Sequence, residues 1–242
     1  MKPMTQGITL PERAGTVMGP VPAFRRPWLW ASLLALPILG LLAFVIFQPI
    51  QVLPRIALAP GYAFVDQNGQ RLTSEDLRGR LALYTFTYTG CLAPCPDPGV
   101  ALARLQQELA DLDTGSLPLS FVTISFDPDR DDPAALRRYG AQLGMDPARW
   151  HGVTGQEPFL KQVIGGGFGV YYQRQDDGSF QFDPTFVLVD GWGIIRARYR
   201  TATPDVERLR RDIGLVVREV ENSRGIQRYA YEAAHLFLCY PK

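Results

Sequence analysis

The sequence predicts an α/β protein: a mixed sheet flanked by helices, preceded by one transmembrane helix. Three observations lead there. Residues 28–47 hold no charged side chain. From residue 61 to 217, short β-branched and aromatic runs alternate with amphipathic helical patterns, the order that builds a helix-covered sheet. The last two strand-like runs, 182–189 and 193–200, are joined by Asp190-Gly191, and this closing hairpin makes the sheet mixed. The 242 residues suit one domain of roughly 150 residues with an anchor and a tail, and no internal repeat is present. The net charge is +1 and no basic run is interleaved with aromatics, which excludes nucleic acid as a partner.

Taken in order, residues 1–27 read as a disordered cytoplasmic lead, with Lys2, Arg13, Arg25 and Arg26 against the single acid Glu12. Residues 28–48 read as the membrane span: about 20 residues at ~1.5 Å each cover the ~30 Å hydrocarbon layer. Trp28 and Trp30 lie at one end, where aromatic rings favour the headgroup level, and Pro37 predicts a kink. The run is longer than a signal-peptide core, and no small-residue cleavage site clearly ends it. Arg25-Arg26 before the span, against Arg55 after it, puts the N-terminus in the cytoplasm and the remainder on the extracytoplasmic, periplasmic side.

Residues 49–60 read as a Pro-punctuated linker and 61–217 as the folded domain. Asn68-Gly69 signals a hairpin turn, and residues 74–79 a capped helical turn closed by Gly79. Residues 81–88 form a central strand, 99–112 a helix, and 117–126 a strand buried on both faces. A loop, Asp127 to Pro133, leads into a helix ending at Gln142. Asp127, Asp129 and Arg130 could suggest catalysis but read as a solvated loop with a helix cap at Asp132. A short strand at 150–153 precedes a helix at 157–164, and Gly165-Gly166-Gly167 reads as its stop and a flexible loop. Strands at 168–173 and 182–189 flank a polar turn at Asp176-Asp177-Gly178, and 204–217 is an amphipathic helix. Residues 218–242 form a tail with a short apolar helix.

The chemistry concentrates where the central strand ends. Two of three cysteines, Cys91 and Cys95, lie four apart between that strand and the next helix. Such a pair can bind a soft metal, exchange a disulfide, or hold a structural bridge. Outside the cytoplasm, thiols must be kept reduced, loaded with metal, or oxidised. Of the two histidines, His151 beside Trp150 reads as packing or surface, and His235 lies four residues before Cys239, on one helix face.

Several motifs together resemble the Sco/SenC family: Phe64-x-Asp66-Gln67-Asn68-Gly69-Gln70, Leu77-Arg78-Gly79-Arg80, Thr85 to Cys95-Pro96, Ile124 to Asp131, and Trp150-x-x-Val153-Thr154-Gly155. The resemblance covers about residues 60–200. It implies a membrane-anchored thioredoxin-like fold that assists copper-site assembly of a haem-copper oxidase, acting on the oxidase's copper-binding subunit. Cu(I) transfer and thiol-disulfide exchange at Cys91 and Cys95 both fit, with Cys91 as the more exposed thiol and Cys95 as the resolving one. The family's copper ligands also include a histidine before a late strand, and Pro184 stands in its place here. A proline there resembles the cis-proline of thioredoxins, which faces the cysteine pair, so Asp183-Pro184 is a candidate cis peptide. His235 could replace the absent ligand, or its helix could simply pack on the domain, the membrane or a partner subunit. Two other readings stay open: a general thiol-disulfide reductase, and a structural subunit of a respiratory membrane complex with vestigial cysteines.

Overall fold

The structure, a computed structural model, describes residues 27–47, 50–91, 95–223, 225 and 227–237. Residues 1–26 of the lead expected over 1–27, and Cys239, lie outside the described residues. Two units separate at residues 47 and 48. The first contains α1, Pro27–Phe47, a single helix of 21 residues with Pro37 inside it. Among the described residues no helix is long and apolar enough to cross a membrane.

The second unit is built on an eight-stranded mixed sheet. In chain order its strands are β1 (Ala57–Leu58), β2 (Ala63–Asp66), β3 (Arg71–Thr73), β4 (Leu81–Thr87), β5 (Leu119–Ser125), β6 (Trp150–Thr154), β9 (Phe186–Val189) and β10 (Ile194–Tyr199). A separate two-stranded hairpin, β7 (Tyr172–Arg174) and β8 (Phe180–Phe182), completes the set. Sheet order is β1-β10-β9-β4-β5-β6-β2-β3, with β4, β5 and β6 parallel and the remaining pairs antiparallel. The helices are α2 (Pro98–Glu108), α3 (Pro133–Gln142), α4 (Glu157–Leu160), α5 (Val206–Asn222) and α6 (Gln227–Phe237).

Every residue of β4 and β5 is buried, because helices cover both faces of the sheet. Alternation divides β4 between two cores. Leu81 and Leu83 join α2 and α5 through Leu102, Leu105, Ile213 and Val216. Ala82, Tyr84 and Phe86 point the other way, onto Leu160, Ile164 and Phe168. Aspartates start three helices: Asp97, Asp132 and Asp205 accept from the first-turn amides of α2, α3 and α5, of which only the Asp132 cap was expected from the sequence.

Five expectations change, the first at the strand expected over 168–173: Phe168 ends a helical segment, Gly169 caps it, and only Tyr172–Arg174 pairs as β7. Residues 165–167 are no loop: α4 continues as a wide π-helical segment, Lys161–Phe168, and stops at Gly169 with φ 70°. Only glycine fits at 167, where an added Cβ would lie 2.4 Å from Pro60. The single strand expected at 182–189 is two, β8 and β9, parted at Asp183–Thr185. The helix expected at 99–112 is shorter, ending at Glu108. The supposed linker is folded from residue 52 onward: Val52 and Leu53 are buried, and β1 pairs with β10.

A charged cluster closes the sheet at the N-terminal end of β4. Arg196, fully buried on β10, donates to Asp190 (3.0 Å), Glu219 (2.5 Å) and the Leu53 carbonyl (2.8 Å). Glu219 also accepts from Arg55 (3.0 Å) and from His235 Nε2 (2.8 Å). Burial alone would raise the Glu219 carboxyl, but the bonds from His235, Arg196 and Arg55 outweigh it and hold it at about 2. Because this is below its unfolded value, Glu219 stabilises the fold fully above its ordinary 4.5 and loses that contribution as pH falls towards 2. The loss should reach ~3 kcal/mol. Urea titrations at stepped pH should show it, with Glu219→Gln flattening the acid limb.

Candidate functional site

β4 runs out of ladder at Thr87, and the chain turns through Tyr88–Gly90 with the Cys91 amide donating to the Tyr88 carbonyl at 3.1 Å. Gly90 lets this turn pass close to the Tyr88 ring, 3.2 Å from where a Cβ would sit. Cys91 and Cys95 form a disulfide with Cα atoms 5.3 Å apart, inside the usual range for such bonds. Residues 92–94, between them, lie outside the described residues.

Cys91 is only 5% exposed and packs in the aromatic core on one sheet face, whereas Cys95 is half-buried. This reverses the expected order of exposure. Cys91 follows the buried strand directly, while Cys95 sits on the rim, three residues before Pro98 opens α2. The N-terminus of a helix favours a thiolate nearby. A cleft of about 390 Å³ opens beside it, walled by Pro96, Val100, Ala101, Thr203, Pro204 and Val206.

Two carboxylates bracket the cysteine pair, Asp131 fully buried and Asp97 half-buried. Asp97 accepts from Thr87 Oγ1 (3.1 Å), the Gly99 amide (2.9 Å) and Tyr139 Oη (2.8 Å). Burial raises its carboxyl, and these donors oppose the rise. Asp131, with no exposed surface, accepts from the Thr89 amide (2.9 Å), Thr89 Oγ1 (2.5 Å) and Ser125 Oγ (2.5 Å). The loop is solvated as expected at Asp129 and Arg130, but Asp127 and Asp131 are buried; Asp132 caps α3 as expected. Asp127, also fully buried, meets Arg174 at 2.6 Å and Arg130 at 3.0 Å, and burial pushes its carboxyl up against the two guanidiniums. Arg174 on β7 and the bond from Arg130 to the Gly178 carbonyl tie the β7–β8 hairpin to this loop. Phe180 and Phe182 of that hairpin lie against Tyr88 and Phe126.

Pro184 lies where β8 gives way to β9. Continuing the β4–β9 register from Thr85↔Phe186 sets it opposite Thr87, at the foot of the cysteine turn. His235 is not brought to the cysteines. It is bonded to Glu219 beside Arg196, whose partner Asp190 follows the β9 residue Val189 that pairs with Ala82. The β4 strand, ~20 Å long at ~3.3 Å per residue, separates the two ends, so the replacement-ligand idea fails on geometry. His151 pairs with Val122 in the middle of the sheet, and burial lowers its pKa. Among the described residues, no group of three or more His, Cys, Asp or Glu side chains could hold a metal. Sequence reasoning missed Asp97 and Asp131. The faint signal was that each precedes a proline-led helix start, within two residues, on a chain rich in buried hydroxyls.

A parallel β4–β5–β6 core, an antiparallel β9–β10 edge and a bridged cysteine pair between β4 and α2 define a thioredoxin-like domain with a disulfide where its first parallel strand meets the next helix. The SCO1/SenC family model matches residues 52–218, and the chain belongs to that family. An SCO2-like protein of Rickettsia felis is 30% identical over 132 residues, 53% of this chain and 61% of its own length. This chain thus spans about six tenths of the first curated relatives it matches. Among solved structures, Bradyrhizobium japonicum ScoI with copper bound aligns with TM-score 0.51 at 26% identity, covering 66% of this chain and 99% of that one. BsSco, described as having a disulfide switch and as a member of the Sco family of cytochrome c oxidase assembly proteins, aligns with TM-score 0.61 at 20% identity. That alignment covers 68% of this chain and 95% of BsSco, and it supports the fold.

The asymmetry of exposure has a direct readout. In the reduced protein, with Cys239 replaced by Ser throughout, iodoacetamide should alkylate Cys95 in the Cys91→Ser variant at least about tenfold faster than Cys91 in the Cys95→Ser variant. Equal rates would show that the two sulfurs are equally accessible.

Proposed function

We propose that this protein assists assembly of the copper site of a haem-copper oxidase by thiol-disulfide exchange at Cys91 and Cys95, acting on cysteines of the oxidase's copper-binding subunit. The observation that carries the reading is a bridged pair with one sulfur on the rim and one in the core, at the foot of Pro184. In the reduced protein the Cys95 thiolate attacks a client disulfide sulfur, forming a mixed disulfide and releasing one client thiolate. Cys91 then attacks Cys95 Sγ, breaks the mixed disulfide and releases the second. The client gains two electrons and, with two protons, two thiols able to take copper. The chain is left with the Cys91–Cys95 bond, and a dithiol reductant on the same side of the membrane resets it. Pro184 would present its flanking backbone to the incoming client segment.

A second reading, Cu(I) transfer, draws on the copper-bound ScoI and on the softness of two thiolates, which suit Cu(I) without a third donor. Copper is then cargo held between the two sulfurs. Neither histidine of the chain lies near enough to retain Cu(II) there.

Cells lacking the protein should regain oxidase activity with the wild-type chain, and lose it at least about tenfold with Cys91→Ser or Cys95→Ser. Retained activity in either variant rules out both chemistries. Anaerobic Cu(I) titration of the reduced protein separates them: one tightly held ion per chain supports transfer, whereas none, together with stoichiometric reduction of a client disulfide peptide, supports exchange. Reduction of unrelated disulfides at the same rate would instead mark a general reductase.

The anchor belongs to the same reading. Residues 28–48 would span the membrane, with the folded domain outside the cytoplasm, where a standing disulfide is chemically at home. External protease added to spheroplasts should digest the domain, and a fully protected domain would reverse the orientation.

A further inference from the structure

Asp131 has no exposed surface and spends its carboxylate on three donors, two of them from Thr89 and the third from Ser125. Thr89 is two residues before Cys91. At the other side of the loop, Asp97 takes the same part: its amide donates to the Cys95 carbonyl at 3.0 Å, and its carboxylate is fixed by Thr87, Gly99 and Tyr139. Cys91 and Cys95 thus each lie two residues from an anchored position, Thr89 on one side and Asp97 on the other. The anchor on the Cys91 side comes from a different strand-to-helix turn, after β5, 42 residues away.

We infer that Asp131 is a positioning residue that sets how readily the Cys91–Cys95 bond is reduced. The inference rests on the exchange reading above and assigns the control of that site. A disulfide's equilibrium constant reflects the effective concentration of one thiol at the other. With Thr89 pinned, the reduced Cys91 stays beside Cys95 and re-forms the bond readily. With the pin removed, the Tyr88–Gly90 turn gains freedom only in the dithiol state, because the bond itself restrains the turn when oxidised. Loss of Asp131 therefore makes the bond easier to reduce.

The test equilibrates the full chain in detergent with a small dithiol of known potential. Asp131→Ala should lower the equilibrium constant for disulfide formation about tenfold, ~30 mV towards easier reduction. Thr89→Val, which removes one of the three bonds, should shift it in the same direction by less. Urea unfolding of the oxidised and reduced forms closes the cycle: Asp131→Ala should destabilise the oxidised form more, by the same factor. An unchanged constant, with both forms destabilised equally, overturns the inference and leaves Asp131 as fold support alone. If Asp131→Ala does not fold, Asp131→Asn and Thr89→Val carry the same comparison, and no shift in either overturns it. The small dithiol involves no client, so this outcome is independent of whether Cys91→Ser and Cys95→Ser block oxidase assembly.

Discussion

The burial of β4 on both faces is the constraint from which the site follows. A strand enclosed by β5 and β9, with a helical layer above and below, has no freedom of register: a one-residue slip would turn Leu83 out of one core and Tyr84 out of the other. The strand must nevertheless end, and beyond Thr87 its backbone needs other partners. The Asp131 carboxylate meets it at the Thr89 amide and the Asp97 amide at the Cys95 carbonyl, with the two cysteines between them in the chain. Rigid support ends one or two residues from each sulfur, which is where exchange chemistry can use it.

The parts of this arrangement that depend on local pattern were legible in the sequence. The enclosed strands showed as unbroken apolar and β-branched runs, the Asn68-Gly69 turn as a hairpin, and Asp132-Pro133 as a capped helix start. The cysteine pair between strand and helix was equally plain. What depended on distant donors was not. Asp127 and Asp131 look like any acidic loop until β5 returns them beside Thr89, Arg174 and Ser125. Glycine at 165–167 suggested a stop, but π-helical widening let the chain pass Pro60 and still seat Phe168 in the core. The order of sulfur exposure was misread because the reach of the Tyr88–Gly90 turn into the aromatic cluster leaves no trace in the spacing of the two cysteines.

The two ends of the sheet carry different kinds of polar network. Around the cysteines, neutral hydroxyls and amides satisfy Asp97 and Asp131, while Asp127 nearby is met by the guanidiniums of Arg130 and Arg174. At the other end, three basic groups converge on Glu219, and breaking one partner of such a buried set typically costs ~3–5 kcal/mol. That end ties the first and last segments of the domain together. It also accounts for His235, whose imidazole serves α6 docking on α5.

Arg196 has a consequence for where this domain begins and finishes. Its guanidinium binds the Leu53 carbonyl on the incoming chain and Glu219 on the outgoing helix, and Arg55 and His235 meet on that same glutamate. The first and last turns of the folded body are thus buckled together by one side chain. A soluble fragment cut at residue 61, where the hairpin starts, would strip this buckle and leave a buried arginine facing water. Cutting at residue 50 and keeping α6 would preserve it.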